Sequence, residues 1–190
     1  RSQRKRMQPR RRISRLLAWL LAAWLGSAGW ALAQLAPNAL PTGAQVKVGT
    51  GTLAQMGNLL VIQQNTERLG LDWQSFNIGS GATVEFRQPG ASSVALNRVL
   101  GNDPSRIYGQ LKANGQVFLT NPNGVLFAPS ARVDVGGLVA SALDLSQQDF
   151  AEGRFQFNAR GVNGSSASVV NHGQLRASAG GYLALFGQQV

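Results

Sequence analysis

The sequence has no cysteine, one histidine and only 8 acidic residues among 190. Without cysteine there is no disulfide framework and no thiolate metal site, and His172 alone cannot build a soft-metal cluster. His172 falls in the stretch Val169 to Gly173 and reads as a solvated turn residue rather than a catalytic base. The acids are Glu67, Asp72, Glu85, Asp103, Asp134, Asp144, Asp149 and Glu152, with no paired spacing of the kind a glycosidase dyad suggests. Gly79 and Gly81 miss the dinucleotide spacing and no phosphate-loop lysine follows a glycine run, so no nucleotide or other cofactor is implied. Beyond Gln34 no helical period lasts ten residues, which predicts a nearly all-β domain, and without a carboxylate pair or metal cluster that domain is not expected to be an enzyme.

The net charge of +10 is concentrated at one end. Residues 1–15 carry eight Lys or Arg and no acid, leaving 18 − 8 = 10 basic against 8 acidic side chains elsewhere. A net of +2 gives the remainder little electrostatic footprint for nucleic acid. An apolar run from Leu16 to Leu25 follows, too short to span a bilayer, and then Ala31-Leu32-Ala33. Basic region, apolar region and small-x-small site in that order read as a secretory signal peptide over 1–33, handled by the Sec machinery and signal peptidase and cleaved between Ala33 and Gln34. Met7 is a candidate start, because Met7 to Ala33 is already a complete signal. A membrane anchor, a nuclear-localisation run and a twin-arginine signal are the weaker readings of the same residues. Exported domains often rely on disulfides, so their absence means that the core suffices or that cross-links would hinder passage through a pore.

The remaining stretch, 34–190, is punctuated by turns. Gln45 to Val48 reads as an edge strand or cap, and Trp73 and Phe76 as anchors of the core. Val84 and Phe86 are expected to point inward, with Val94 and Leu96 in the equivalent places. The organising stretch is Asn114 to Ala128, where two β-type runs flank Asn121-Pro122-Asn123-Gly124. Pro122 presets φ for the first central position of a turn, Asn123 tolerates turn conformations, and Gly124 can take a positive φ. Val117 and Leu119 recur eight residues on as Val125 and Phe127, and again as Val133 and Val135; Leu175 and Ala177 recur as Leu183 and Leu185. A β-sandwich and a parallel β-helix compete, and the eight-residue steps favour the β-helix, with a coil of about 24 residues. Phe118 and Leu126 have the opposite parity, so they face outward and are either covered by an extra sheet or form an exposed apolar patch.

Several blocks together resemble the amino-terminal secretion domain, or haemagglutination activity domain, of filamentous haemagglutinin-like proteins of Gram-negative two-partner secretion systems. They are Asp72 to Gly79 (DWQSFNIG), Ala95 to Val99 (ALNRV), Asp103 to Ser105, Asn114 to Leu119 (NGQVFL), Asn121 to Val125 (NPNGV) and Gly136 to Ser141 (GGLVAS), with Gly180 to Leu185 just downstream. Coverage runs from Gln34 to Val190. The resemblance implies a right-handed parallel β-helix with an N-terminal cap and extra-helical strands. It also implies export across the outer membrane to the medium or cell surface. The domain would be recognised in the periplasm by the polypeptide-transport-associated domains of a partner outer-membrane barrel. The tetrad matching Asn121, Pro122, Asn123 and Gly124 is implicated in secretion. One branch of that family has a second tetrad upstream, where this chain has Gln88-Pro89-Gly90-Ala91.

The expected role is therefore a secretion-targeting module and folding scaffold at the head of an adhesin, haemolysin or contact-dependent toxin. A free-standing surface adhesin that binds host glycans is the alternative. A carbohydrate-active β-helix would need a charged cluster in one groove.

Overall fold

The computed structural model describes residues 35–159 and 167–187. The expected signal peptide, with Met7 and the Ala33–Gln34 junction, lies outside the described residues, as do residues 160–166 and 188–190. The strands are β1 (Gln45–Val48), β2 (Gly51–Met56), β3 (Leu59–Gln64), β4 (Arg68–Trp73), β5 (Thr83–Arg87), β6 (Val94–Val99), β7 (Ser105–Ile107) and β8 (Gln110–Ala113). They continue with β9 (Gln116–Thr120), β10 (Val125–Phe127), β11 (Arg132–Val135), β12 (Gly137–Ser141), the helix α1 (Gln147–Ala151), β13 (Val169–Asn171), β14 (Gln174–Ala177) and β15 (Leu183–Phe186).

These strands form a parallel β-helix. Among the described residues they make a first sheet ordered β1-β4-β6-β9-β12-β15, a narrow sheet β13-β10-β7, and a third sheet β14-β11-β8-β5-β3-β2. The chain visits the three in turn, as β6-β7-β8 and then β9-β10-β11, so each strand pairs in parallel with its counterpart one coil away. Among the named strands of the described residues, antiparallel pairing is confined to β1 on β4 and β2 on β3, which cap the first coil. In the first sheet the register step is 26 residues from Arg68 to Val94, 22 from Val94 to Gln116 and 21 from Gln116 to Gly137, close to the expected 24. The next step, from Leu138 to Leu183, is 45 residues, because the last coil carries an excursion.

Register makes the core. Leu69, Ala95, Val117 and Leu138 stack as one interior row, continued in register by the exposed Leu183, and Leu71, Asn97, Leu119, Ala140 and Leu185 stack as the next. The eight-residue pairs Val117 and Leu119, Val125 and Phe127, Val133 and Val135 all lie in this interior, on three successive strands of one coil. Trp73 and Phe76 meet edge to face at 5.5 Å in the same core. Asn97 is fully buried among these apolar rows. Its Oδ1 accepts from Trp73 Nε1 at 3.0 Å, and its Nδ2 donates to the carbonyls of Ala95 and Phe118, so the polar side chain is answered on both sides.

Val94 and Leu96 correct the expected inward placement. They point out of the helix into a second cluster with Phe118, Val139, Leu145 and Phe150, and Ala95 and Asn97 take the interior. When both faces of a strand are buried, alternation gives no parity signal. The cluster is sealed by residues 142–159, which leave β12 and run back across the first sheet. α1 is capped at Ser146, whose Oγ accepts from Asp149 N at 3.0 Å. Hydrogen bonds from Ser146 and then from Arg154 hold the Asp149 carboxyl below its ordinary range. Arg98 grips Asp144 with two bonds of 2.7 Å, Gln147 Nε2 donates to Asp72 Oδ1 at 2.9 Å, and the bridge between Asp144 and Asn158 closes the loop. Phe155 and Phe157 pack as separate rings on Phe118.

The third sheet presents its outer face openly. Glu85, Lys112, Asp134 and Arg176 fall in register there, alternating in sign from coil to coil. A hydrogen bond from Arg87 lowers the Glu85 pKa against a small desolvation, and the charges of Arg87 and Lys112 add to the lowering.

Replacing Asn97 by Ala strands the buried Trp73 N–H and leaves a void, and is expected to lower stability by about 2–3 kcal/mol. Urea denaturation monitored by tryptophan fluorescence measures the difference.

Candidate functional site

The candidate site is the corner between β9 and β10. β9 ends at Thr120 because Pro122 has no N–H to continue a ladder and its ring fixes φ. A turn bond from Gly124 N to Asn121 O at 2.9 Å closes the tetrad. Asn123 keeps a negative φ, and Gly124 takes φ 104°, as its sequence position anticipates. Proline at the second place, glycine at the fourth and negative φ between them are the pattern of a type I turn.

The two asparagines of the tetrad do different things. Asn121 is fully buried. Its Nδ2 donates to Asp103 O and to Ser105 Oγ, each at 3.0 Å, and its Oδ1 accepts from Asn123 N at 2.9 Å and Asn123 Nδ2 at 3.1 Å. Asn123 is exposed, and its own Nδ2 also reaches the Gly101 carbonyl at 2.8 Å. Gly101 to Ser105 is the corresponding corner of the preceding coil, so the tetrad is clipped onto the turn before it. On the other side Asn121 N donates to Ser141 O at 2.9 Å and Val125 N to Ser168 O at 3.1 Å. A Cβ on Gly124 would lie 2.8 Å from Ser168 O, closer than a real Cβ tolerates, and the positive φ adds strain. The tetrad is thus a rivet through three coils.

The other outward candidates lie apart. Phe118 projects from the first sheet but is only 3% exposed, roofed by Phe155 and Phe157, so it forms no exposed patch. Leu126 is half-buried on the outer face of the narrow sheet, in register between Arg106 and Val170. The two sit on different sheets. Sequence reasoning named Asp103 to Ser105 only as a block of the resemblance and missed that Asp103 and Ser105 receive Asn121. It also missed the grip of Arg98 on Asp144. The signal available for Asn97 was a polar residue inside an otherwise apolar alternating run. Among the described residues no group of three His, Asp or Glu side chains is placed to hold a metal ion.

The family profile described as the TPS secretion domain matches residues 37–190. A heme/hemopexin-binding protein of Haemophilus influenzae is 47% identical over 108 residues, 57% of this chain and 12% of that protein. A second heme/hemopexin-binding protein of Haemophilus influenzae is 40% identical over 113 residues, 59% of this chain and again 12% of the relative. The chain therefore spans about an eighth of the curated relatives it matches. Among solved structures, the HMW1 secretion domain from Haemophilus influenzae superposes with a TM-score of 0.69 at 32% identity, covering 76% of this chain and 38% of that one.

Truncating Asn121 to Ala orphans the buried amide partners at Asp103 and Ser105 and is expected to cost about 2–3 kcal/mol, against about 1 kcal/mol for Asn123→Ala at the exposed position. Chemical denaturation midpoints of the two variants test that order.

Proposed function

The chain belongs to the TPS secretion domain family, the secretion domains of two-partner exoproteins whose partner is an outer-membrane transporter, and from that premise we propose how its corner serves export. The domain leaves the cytoplasm by the Sec route and is recognised in the periplasm by the polypeptide-transport-associated domains of its barrel. It then provides the first stack on which the exoprotein folds outside the cell. The periplasm holds no ATP, so forward movement draws on folding, and a β-helix supplies it because each coil templates the next. The passenger is an adhesin, a haemolysin or a contact-dependent toxin, with heme/hemopexin binding, the property named for the relatives, as a further candidate.

The observation that carries this reading is the division of labour within the tetrad. Asn121 is sealed inside and cannot touch a partner in the folded domain, whereas Asn123 is open to solvent on the same turn. This contrast supports giving the folding role to Asn121 and the recognition role to Asn123. A reporter fused behind the domain is expected in the medium only when the barrel is co-expressed; equal amounts without the barrel would refute the role. In the same assay Asn121→Ala should lose secretion together with folding. Asn123→Ala should stay folded yet bind the isolated periplasmic domains of the barrel more weakly.

A further inference from the structure

In successive coils the first and narrow sheets are joined by very different corners. Leu100 to Pro104 joins β6 to β7, the tetrad joins β9 to β10, and residues 142–168 join β12 to β13. The tetrad holds the chain at both feet of the last of these, at Ser141 and at Ser168. Asn121 N bonds the carbonyl of Ser141, where the chain leaves β12, and Val125 N bonds the carbonyl of Ser168, where it rejoins the stack.

What leaves between those feet does not stay local. Residues 142–159 reach back to the first coil: Arg98, on β6, holds Asp144; Asp72, on β4, holds Gln147; the Arg68 guanidinium donates to the Ala151 carbonyl at 3.4 Å. Phe150 is fully buried in the outer cluster, against which Val48 of β1 also packs. At the other end of the stack Phe157 meets Phe186 of β15 at 5.5 Å. A solenoid coil ordinarily touches only its neighbours, and its stability is a sum of nearest-neighbour terms. Here one segment spans from the cap to β15.

We infer that the tetrad is the seat of a clamp: by fixing where the chain departs at Ser141 and returns at Ser168, Asn121 to Gly124 sets residues 142–159 across the first sheet and couples the cap strands to coils they do not touch. The coupling runs both ways, since anything that frees the clamp from Arg98 and Asp72 also loosens the feet held by the tetrad. The inference concerns folding alone and does not rest on the partner reading.

Native-state amide exchange on the purified domain tests it. Asp144→Ala, which removes the grip of Arg98, is expected to speed exchange by about tenfold in β1 and β4 and at the amides of Asn121 and Val125, while β8 and β11 on the third sheet keep their protection. Gly124→Ala, which pushes on the Ser168 foot without touching the clamp, is expected to give the same pattern in β1 and β4. Asn123→Ala serves as the control: it removes only bonds to Gly101 and Asn121 and should leave β1 and β4 unchanged. Faster exchange confined to residues 121–128 in Gly124→Ala would overturn the inference, and so would a uniform rise in every strand, the signature of plain destabilisation. If Gly124→Ala does not fold, Asp144→Ala still decides, because unchanged exchange at Asn121 and Val125 sinks the coupling.

Discussion

Parallel, in-register pairing of the strands from β3 onward with their counterparts one coil away is the constraint from which the rest of the domain follows. It forces like positions into rows, so one apolar choice on a strand commits the strands above and below to compatible volumes. It also decides what polar groups inside can do. Asn97 and Asn121 are tolerated because neighbouring coils supply partners at fixed heights: Trp73 and the Phe118 carbonyl for one, Ser105 and the Asp103 carbonyl for the other. A buried amide in such a stack is a register mark, since a slip of one residue would leave it without those partners.

The same constraint explains what could be read from the chain in advance. The interior of the coil formed by β9, β10 and β11 was legible because eight-residue steps bring Val117, Val125 and Val133 to equivalent places on consecutive strands. The tetrad was legible as a bend because proline and glycine have few other uses at that spacing. The face assignment of β6 was not. Val94 and Leu96 alternate as well as any inward pair, and what turns them outward is a cover supplied from residues fifty positions later. Nor does local pattern reveal that Phe155 and Phe157 pack as lone rings on Phe118, because aromatic alternation at that point imitates a strand.

The corner gains its character from what it touches. A turn of four residues on a free hairpin would be replaceable by many sequences. This one has a buried amide clipped to the turn below, backbone bonds to two separate points above, and a glycine whose missing side chain makes room for a carbonyl. Asn121, Asn123 and Gly124 each answer a different neighbour, so none of the three is freely exchanged. The outer face of the third sheet follows another logic, with Glu85, Lys112, Asp134 and Arg176 alternating in sign on an open surface where their attractions are weak individually and screened by salt.

The matched rows along the interior also bear on how such a chain can change in length. Adding or losing one whole turn of the spiral brings leucine, valine and alanine back onto the same columns, so the seam heals. One extra residue within a strand turns that strand's inner side chains out and its outer ones in. The plan therefore accommodates growth by whole repeats and longer connections between strands, while the strands themselves are held to length.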